Sequence, residues 1–239
     1  MATRMIPAIV LAGGLGTRLR SVVRDVPKVL APVGGRPFLE HLLVRLASAG
    51  CPRVVLAVSY LREQVVERFG HDFQGMEILY SAEEAPLGTG GAIRQALGLI
   101  STPQALVVNG DTWIDLDYRA MLEAHLAAKA QLTVAIAEVD NVARYGAVEV
   151  TPSGRILRFA EKGERRSGSI NGGVYVIDKS LFEQFDSLRV FSFEADFLAP
   201  KCAEIKPLAF RSGGRFIDIG VPEDYSRALA MIGTMRDEK

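Results

Sequence analysis

The sequence has 239 residues, 49% hydrophobic and 23% charged, a composition that supports a globular core. Lys plus Arg and Asp plus Glu each total 28, so the formal net charge is zero; no global field favours nucleic acid or an anionic membrane, and any anion site must be local. Two cysteines, Cys51 and Cys202, lie outside any CxxC pattern, which excludes a disulfide framework or a cysteine metal quartet and fits a reducing cytoplasm.

The chain opens with an apolar run over 6–12. The run is too short for a secretion signal and leads into Gly13-Gly14 rather than a cleavage site. No stretch approaches the ~18 apolar residues of a membrane span. A buried first strand and a cytoplasmic location are expected. A helix is predicted over 38–49, apolar at 38, 42, 43, 46 and 49, with Gly50 as its C-cap. A strand over 53–59, a helix over 61–69, a strand over 76–81, a helix over 89–100 and a buried strand over 105–109 follow. This β-α-β-α-β-α-β alternation predicts a three-layer α/β/α Rossmann-like sandwich around a mainly parallel sheet. In such sheets ligands bind beyond the carboxyl ends of the strands, where residues 13–18 and 109–111 stand.

The second half changes character. Strands are predicted over 131–138, 146–150, 156–160, 170–177, 205–210 and 215–218, separated by turn signals such as Pro152-Ser153-Gly154. Crossover helices are largely missing, so antiparallel pairing and a mixed sheet are expected. A helix over 222–235 closes the chain, with Pro222 in its first turn. Residues 163–168 are expected to form a mobile loop, and residues 1–239 a single domain. His41, His71 and His125 lack ligand spacing and read as surface or packing residues.

A strand that runs into Gly13-Gly14-Leu15-Gly16 lets backbone N–H groups approach an anion without side-chain obstruction. Arg18 offers a fork and Lys28 a point charge to phosphate oxygens. Neither the dinucleotide fingerprint nor the P-loop pattern is completed, and a glycine turn with a solvated arginine is the lesser alternative for the loop taken alone. Asp111 and Asp218 each follow an apolar strand, where a carboxylate needs a cation or donors. Together they suit one Mg²⁺ beside a triphosphate, although Asp218 also reads as a cap of the last helix. Asp115 and Asp117 read as turn residues. Glu161 and Asn171 suit sugar hydroxyls, and Lys162 suits a phosphate.

The segments LAGGLGTRL, PKVLAPVGGRP, EEAPLGTGGA, NGD, FAEK, INGGVY and FIDIGVPEDY together resemble the ordered landmarks of the sugar-1-phosphate nucleotidyltransferase family, along nearly the whole chain. The resemblance implies that Leu11, Ala12, Gly13, Gly14, Gly16, Thr17, Arg18, Glu83, Pro86, Gly88, Thr89, Asn109 and Gly110 bind the nucleotide. It implies that Gly146, Glu161, Lys162, Asn171 and Gly172 bind the sugar phosphate. Asp111 and Asp218 would hold Mg²⁺, and Arg18, Lys28, Asp111, Lys162 and Asp218 would carry catalysis. The nucleotide-binding half would run to about residue 130 and the sugar-phosphate half over about 131–239. Arg20-Ser21-Val22-Val23 departs from the proline-leucine-threonine of many members, and this variant is most similar to the heptose 1-phosphate guanylyltransferase branch. The C-terminal β-helix of many relatives is not expected, nor its second activity.

The implied reaction is attack by a sugar-phosphate oxygen on the α-phosphorus of a nucleoside triphosphate, with pyrophosphate leaving. Glu83 and Glu84 bear on the base: guanine presents two adjacent donors that one carboxylate accepts together, whereas uracil presents one donor between two acceptors. GTP is therefore favoured, with a uridylyltransferase as the alternative. A non-catalytic nucleotide-sensing subunit is the reading from another class. The sequence leaves a homo-oligomer open.

Overall fold

A computed structural model of the chain describes residues 3–14, 16, 18–19, 22–23, 26–160, 167–183 and 190–233. The first strand, β1 (Ala8–Leu11), leads through a glycine loop to a 3-10 turn (Lys28–Leu30), the short hairpin β2 (Pro32–Val33) and β3 (Arg36–Pro37), and helix α1 (Phe38–Ser48). Then come β4 (Arg53–Val58), α2 (Arg62–Phe69), β5 (Asp72–Phe73), β6 (Met76–Ala82), α3 (Gly88–Leu97), β7 (Gln104–Asn109), β8 (Thr112–Ile114) and α4 (Tyr118–Ala127). The remainder is β9 (Leu132–Val139), β10 (Val148–Val150), β11 (Ile156–Phe159), β12 (Gly168–Asp178), α5 (Ser180–Glu183), a π-helical segment (Phe193–Leu198), α6 (Ala199–Ile205), β13 (Leu208–Arg211), β14 (Phe216–Asp218) and α7 (Pro222–Gly233).

Eight strands form one sheet in the order β13-β9-β12-β7-β1-β4-β6-β5. β1 pairs in parallel with both β4 and β7, and β4 with β6. β12 enters antiparallel between β7 and β9, which makes the sheet mixed as expected. Alternation along each strand divides the core between its faces. Val10, Val54, Leu56, Leu106 and Val108 pack on one side with Leu42 and Leu46 of α1. Ile9, Val55, Ala105 and Val107 pack on the other with Ile93 and Ala96 of α3. Each fully buried side chain of this size contributes ~1.5–3 kcal/mol relative to exposure, so the central strands are apolar on both faces and only their ends are free for chemistry.

Three expectations for the chain beyond β8 need correction. Asp117 is not merely a turn residue: its side chain accepts from the N–H groups of Arg119 and Ala120 and caps α4, a helix that joins β8 to β9. Tyr118, Met121 and Leu122, with His125 one turn on, form the buried face of that helix. The strand expected over 205–210 begins at Leu208, because residues up to Ile205 complete α6. β13 also pairs in parallel with β9, since α5, the π-helical segment and α6 carry the chain back across the sheet after β12. The expected loop at 163–168 lies mostly outside the described residues. No helix among the described residues is long and apolar enough to cross a membrane.

Candidate active site

The carboxyl ends of β1, β4, β6 and β7 open into a first cavity of about 320 Å³, lined among others by Gly13, Gly14, Ser59, Glu83, Thr89 and Asp111. The glycine loop forms its wall. A Cβ added at Gly13 would stand 3.2 Å from both Glu83 Oε1 and Ser59 Oγ, whereas one at Gly14 would meet nothing within 4 Å. Gly16 has φ +58°, and an added Cβ there would lie 3.0 Å from Lys28 Cβ. The loop thus folds back onto the residue that supplies its cation. The Leu19 N–H donates to Gly16 O at 2.9 Å, and Leu19 is buried. This turn carries Arg18 away from the first cavity.

Glu83 follows directly on β6, and its backbone N–H donates to Val58 O. Its Oε2 accepts from the Leu87 N–H at 2.9 Å, and its Oε1 lies beside Gly13. Glu84, by contrast, is exposed. Burial pushes the Glu83 pKa up, and the Leu87 N–H partly offsets that shift. The carboxylate is held in a fixed orientation by one backbone donor, with acceptor capacity to spare.

A second, larger cavity of about 890 Å³ lies beyond the ends of β7, β12 and β14; Arg18, Arg144, Asn171, Tyr175, Glu194 and Asp218 help to line it. Asn171 stands at a bulge of β12, where the pairing to β9 shifts between Asn171 and Tyr175. Its Oδ1 accepts from the Gly173 N–H at 3.0 Å, and its Nδ2 donates to the Tyr175 hydroxyl at 2.9 Å. Gly173 has φ +70°, and a Cβ there would come within 2.7 Å of Asn109 Nδ2. The second glycine of INGGVY is what lets β12 close against the end of β7. Arg144 is hydrogen-bonded to the buried Asp224 of α7, which ties the loop before Gly146 to the closing helix.

The two cavities meet at three charges. Lys28 Nζ donates to Asp111 Oδ2 at 2.6 Å and lies 3.7 Å from Asp218 Oδ1. Asp111 lines the first cavity and Asp218 the second. Strand β14 makes this possible by pairing antiparallel with β8, Asp218 opposite Thr112. Burial raises the Asp218 pKa, the charge of Asp111 raises it further, and Lys28 opposes both. Asp218 Oδ1 also accepts from the Gly220 N–H at 2.7 Å, so it shapes the turn before α7. The fit to a divalent cation rests on that ammonium, a positive group already placed between the two carboxylates. No group of three or more metal-ligating side chains occurs among the described residues, but Mg²⁺ characteristically takes one or two carboxylates and completes its shell from phosphate and water.

Residues 7–234 match the nucleotidyl transferase family. The chain belongs to that family. A D-glycero-alpha-D-manno-heptose 1-phosphate guanylyltransferase of Aneurinibacillus thermoaerophilus is 43% identical over 92% of this chain and 96% of its own. The enzyme of the same description from Campylobacter jejuni is 42% identical over 93% and 98%. Among solved structures, HddC from Yersinia pseudotuberculosis superposes with a TM-score of 0.86 at 38% identity, covering 95% of this chain and all of that one. A second HddC structure, complexed with GMP-PN, superposes with a TM-score of 0.85.

As a nucleotidyltransferase domain, the chain distributes the residues expected from its motifs between the two cavities. Leu11, Gly13, Gly14, Lys28, Glu83, Pro86, Gly88, Thr89, Asn109 and Asp111 line the first. Gly146 and Asn171 line the second, which Asn109 also reaches. Arg18, expected beside the nucleotide, lines the second cavity instead. Ala12, Gly110 and Gly172 act from behind. Ala12 is buried, a Cβ at Gly110 would strike Leu11 O at 2.5 Å, and one at Gly172 would strike Ile114 Cδ1 at 2.5 Å. Thr17, Glu161 and Lys162 lie outside the described residues. Sequence reasoning passed over Ser59, Arg144, Tyr175 and Glu194. Tyr175 ends the motif INGGVY and Arg144 stands two residues before Gly146, whereas Glu194 sits between aromatic residues and carries no local signal.

Proposed function

We propose that the chain transfers GMP from GTP to a sugar 1-phosphate, D-glycero-α-D-manno-heptose 1-phosphate foremost, and releases pyrophosphate. The product, a GDP-sugar, would serve glycan synthesis in the cytoplasm. The observation that carries this reading is the junction of two cavities at Lys28, Asp111 and Asp218, and the two heptose 1-phosphate guanylyltransferase relatives support the choice of substrates.

In this reading GTP enters the first cavity with its guanine toward Glu83, whose carboxylate accepts the N1–H and N2–H₂ donors. Its triphosphate lies along the glycine loop. The sugar occupies the second cavity, where Asn171 and Tyr175 offer donors and acceptors for hydroxyls. A sugar-phosphate oxygen attacks the α-phosphorus, the bond to the bridging oxygen breaks, and pyrophosphate departs with that electron pair. Both substrates are anions, so the chain's main task is to offset repulsion and to hold the reacting atoms in line. Asp111 and Asp218 would hold Mg²⁺, which when bound supplies charge neutralisation at the phosphates. Lys28 acts at the nucleotide side of the junction and Arg18 at the sugar side. Glu161 and Lys162 belong to this reading through their motif.

A matrix of four nucleoside triphosphates against several sugar 1-phosphates, scored by pyrophosphate release, tests the proposal. The expected maximum is GTP with the heptose 1-phosphate. A maximum with UTP would instead make the chain a uridylyltransferase.

A further inference from the structure

Lys28 stands where a cation between Asp111 and Asp218 would act. Its backbone is anchored in the 3-10 turn Lys28–Leu30 and backed by Gly16, while a lysine stem remains free to turn about its methylenes. The same side chain lines the first cavity beside Gly13 and Gly14. A second anionic partner, a nucleotide phosphate in that cavity, therefore lies within its sweep.

We infer that Lys28 is the internal counter-cation of the Asp111–Asp218 pair, and that it yields this place to a divalent metal by turning onto the nucleotide phosphates. The inference rests on the metal reading of the two aspartates. In the free protein the ammonium keeps two carboxylates from facing each other unpaired, a costly arrangement in a partly buried site. A metal arriving alone must displace a tethered cation that has no other anion to meet. A triphosphate supplies that anion. Metal and nucleotide then bind with positive coupling, and by linkage each strengthens the other equally.

The test measures Mn²⁺ binding by electron paramagnetic resonance without nucleotide, in the wild-type chain, K28M, K28Q and D111N. Both Lys28 variants are expected to bind Mn²⁺ on the order of tenfold more tightly than wild type, because a unit charge at this range weighs about one to three decades. D111N is expected to lose binding. A second readout follows the lysine directly: in ¹⁵N-lysine spectra the Lys28 ammonium signal should shift when Mg²⁺ and GTP are added together. If the folded Lys28 variants bind Mn²⁺ no more tightly while D111N still loses it, the metal site stands and the exchange is overturned. If D111N binds as well as wild type, the metal reading itself fails and takes the exchange with it. A Lys28 signal indifferent to Mg²⁺ and GTP also overturns the exchange, whether or not the variants fold.

Discussion

Thr89 and Glu194 connect the two cavities through one hydrogen bond, Thr89 Oγ1 donating to Glu194 Oε2 at 2.8 Å. Toward the second cavity, Glu194 Oε1 accepts from the Tyr175 hydroxyl at 3.1 Å, which in turn accepts from Asn171 Nδ2 at 2.9 Å. Toward the first cavity, Thr89 Oγ1 accepts from the Phe193 N–H at 2.8 Å. A continuous chain of polar contacts thus runs from Asn171 in the second cavity to Thr89 in the first.

That chain predicts energetic coupling between distant substrates. Glu194→Gln should raise the KM for the sugar phosphate and also, through Thr89, the KM for GTP. In a Thr89→Val background the second effect should vanish, giving a coupling of about 0.5–3 kcal/mol in a double-mutant cycle. Strictly additive GTP effects would show that the hydrogen bond transmits nothing.

Removing either carboxylate at the junction should disable turnover. Asp111→Asn and Asp218→Asn are each expected to lower kcat by about two orders of magnitude or more, the scale of deleting one charge-stabilising group. Stability should hold in Asp218→Asn, because burial and the neighbouring Asp111 already disfavour the ionised form of Asp218, and in Asp111→Asn because Asp218 remains 3.7 Å from the Lys28 ammonium. Chelation of divalent metal should abolish activity and Mg²⁺ should restore it. Steady-state kinetics with thermal melts checks both points, and full turnover by either variant would sink the assignment.

Base selection should depend on pH through Glu83. In the proposed binding mode the ionised carboxylate accepts from guanine, so GTP affinity should be present above the Glu83 pKa and lost as pH falls through it. Burial holds that pKa above the ordinary carboxylate value, so the loss should begin at a higher pH than an exposed glutamate would give. Glu83→Gln should flatten this limb and weaken GTP binding by about 1–3 kcal/mol, with less effect on UTP. Calorimetric GTP binding across acid pH decides it; an unchanged profile in the variant refutes the role.

Two glycines of the first cavity should respond differently to alanine. Gly88 has φ +70°, and an added Cβ would lie 2.4 Å from Phe191 O, so Gly88→Ala should destabilise the fold by about 1–3 kcal/mol. At Gly14 an added Cβ meets no atom within 4 Å, so Gly14→Ala should melt near the wild-type temperature while raising the KM for GTP. Thermal melts together with kinetics separate strain from lost access; equal melting of both variants contradicts the geometry.

The thiols should be inert in the native state. Cys51 and Cys202 are buried, and burial pushes the Cys51 pKa up to about 11 and raises that of Cys202. At pH 8 an aromatic disulfide reagent should therefore react slowly with the folded chain, and rapidly with both cysteines once the chain is denatured. Rapid reaction of the native protein would contradict the packing around them.

Much of the fold was legible because its signals are local. Apolar runs, Gly50 after α1 and the alternation of the first half act over a few residues, and the central strands lie close to where the pattern puts them. The cap at Asp117 and the spacing 118, 121, 122 and 125 were also present in the sequence, but reading Asp117 as a turn residue hides α4. The π-helical segment at Phe193–Leu198 and the parallel pairing of β13 had no comparable local signature, since both depend on how the chain returns across the sheet.

The site divides in the same way. Residue types alone singled out a glycine loop, two strand-end aspartates and a few cations as the candidate phosphate site, because desolvated carboxylates need cations and phosphates suit bare backbone N–H groups. Only the tertiary structure decided the rest: that Arg18 turns to the second cavity, that Glu83 is half-buried while Glu84 is exposed, that Glu194 reaches Thr89, and that Lys28 lies between Asp111 and Asp218. Each of these depends on the direction a side chain takes across a long sequence separation, and that direction is set by packing around the sheet rather than by its neighbours in the chain.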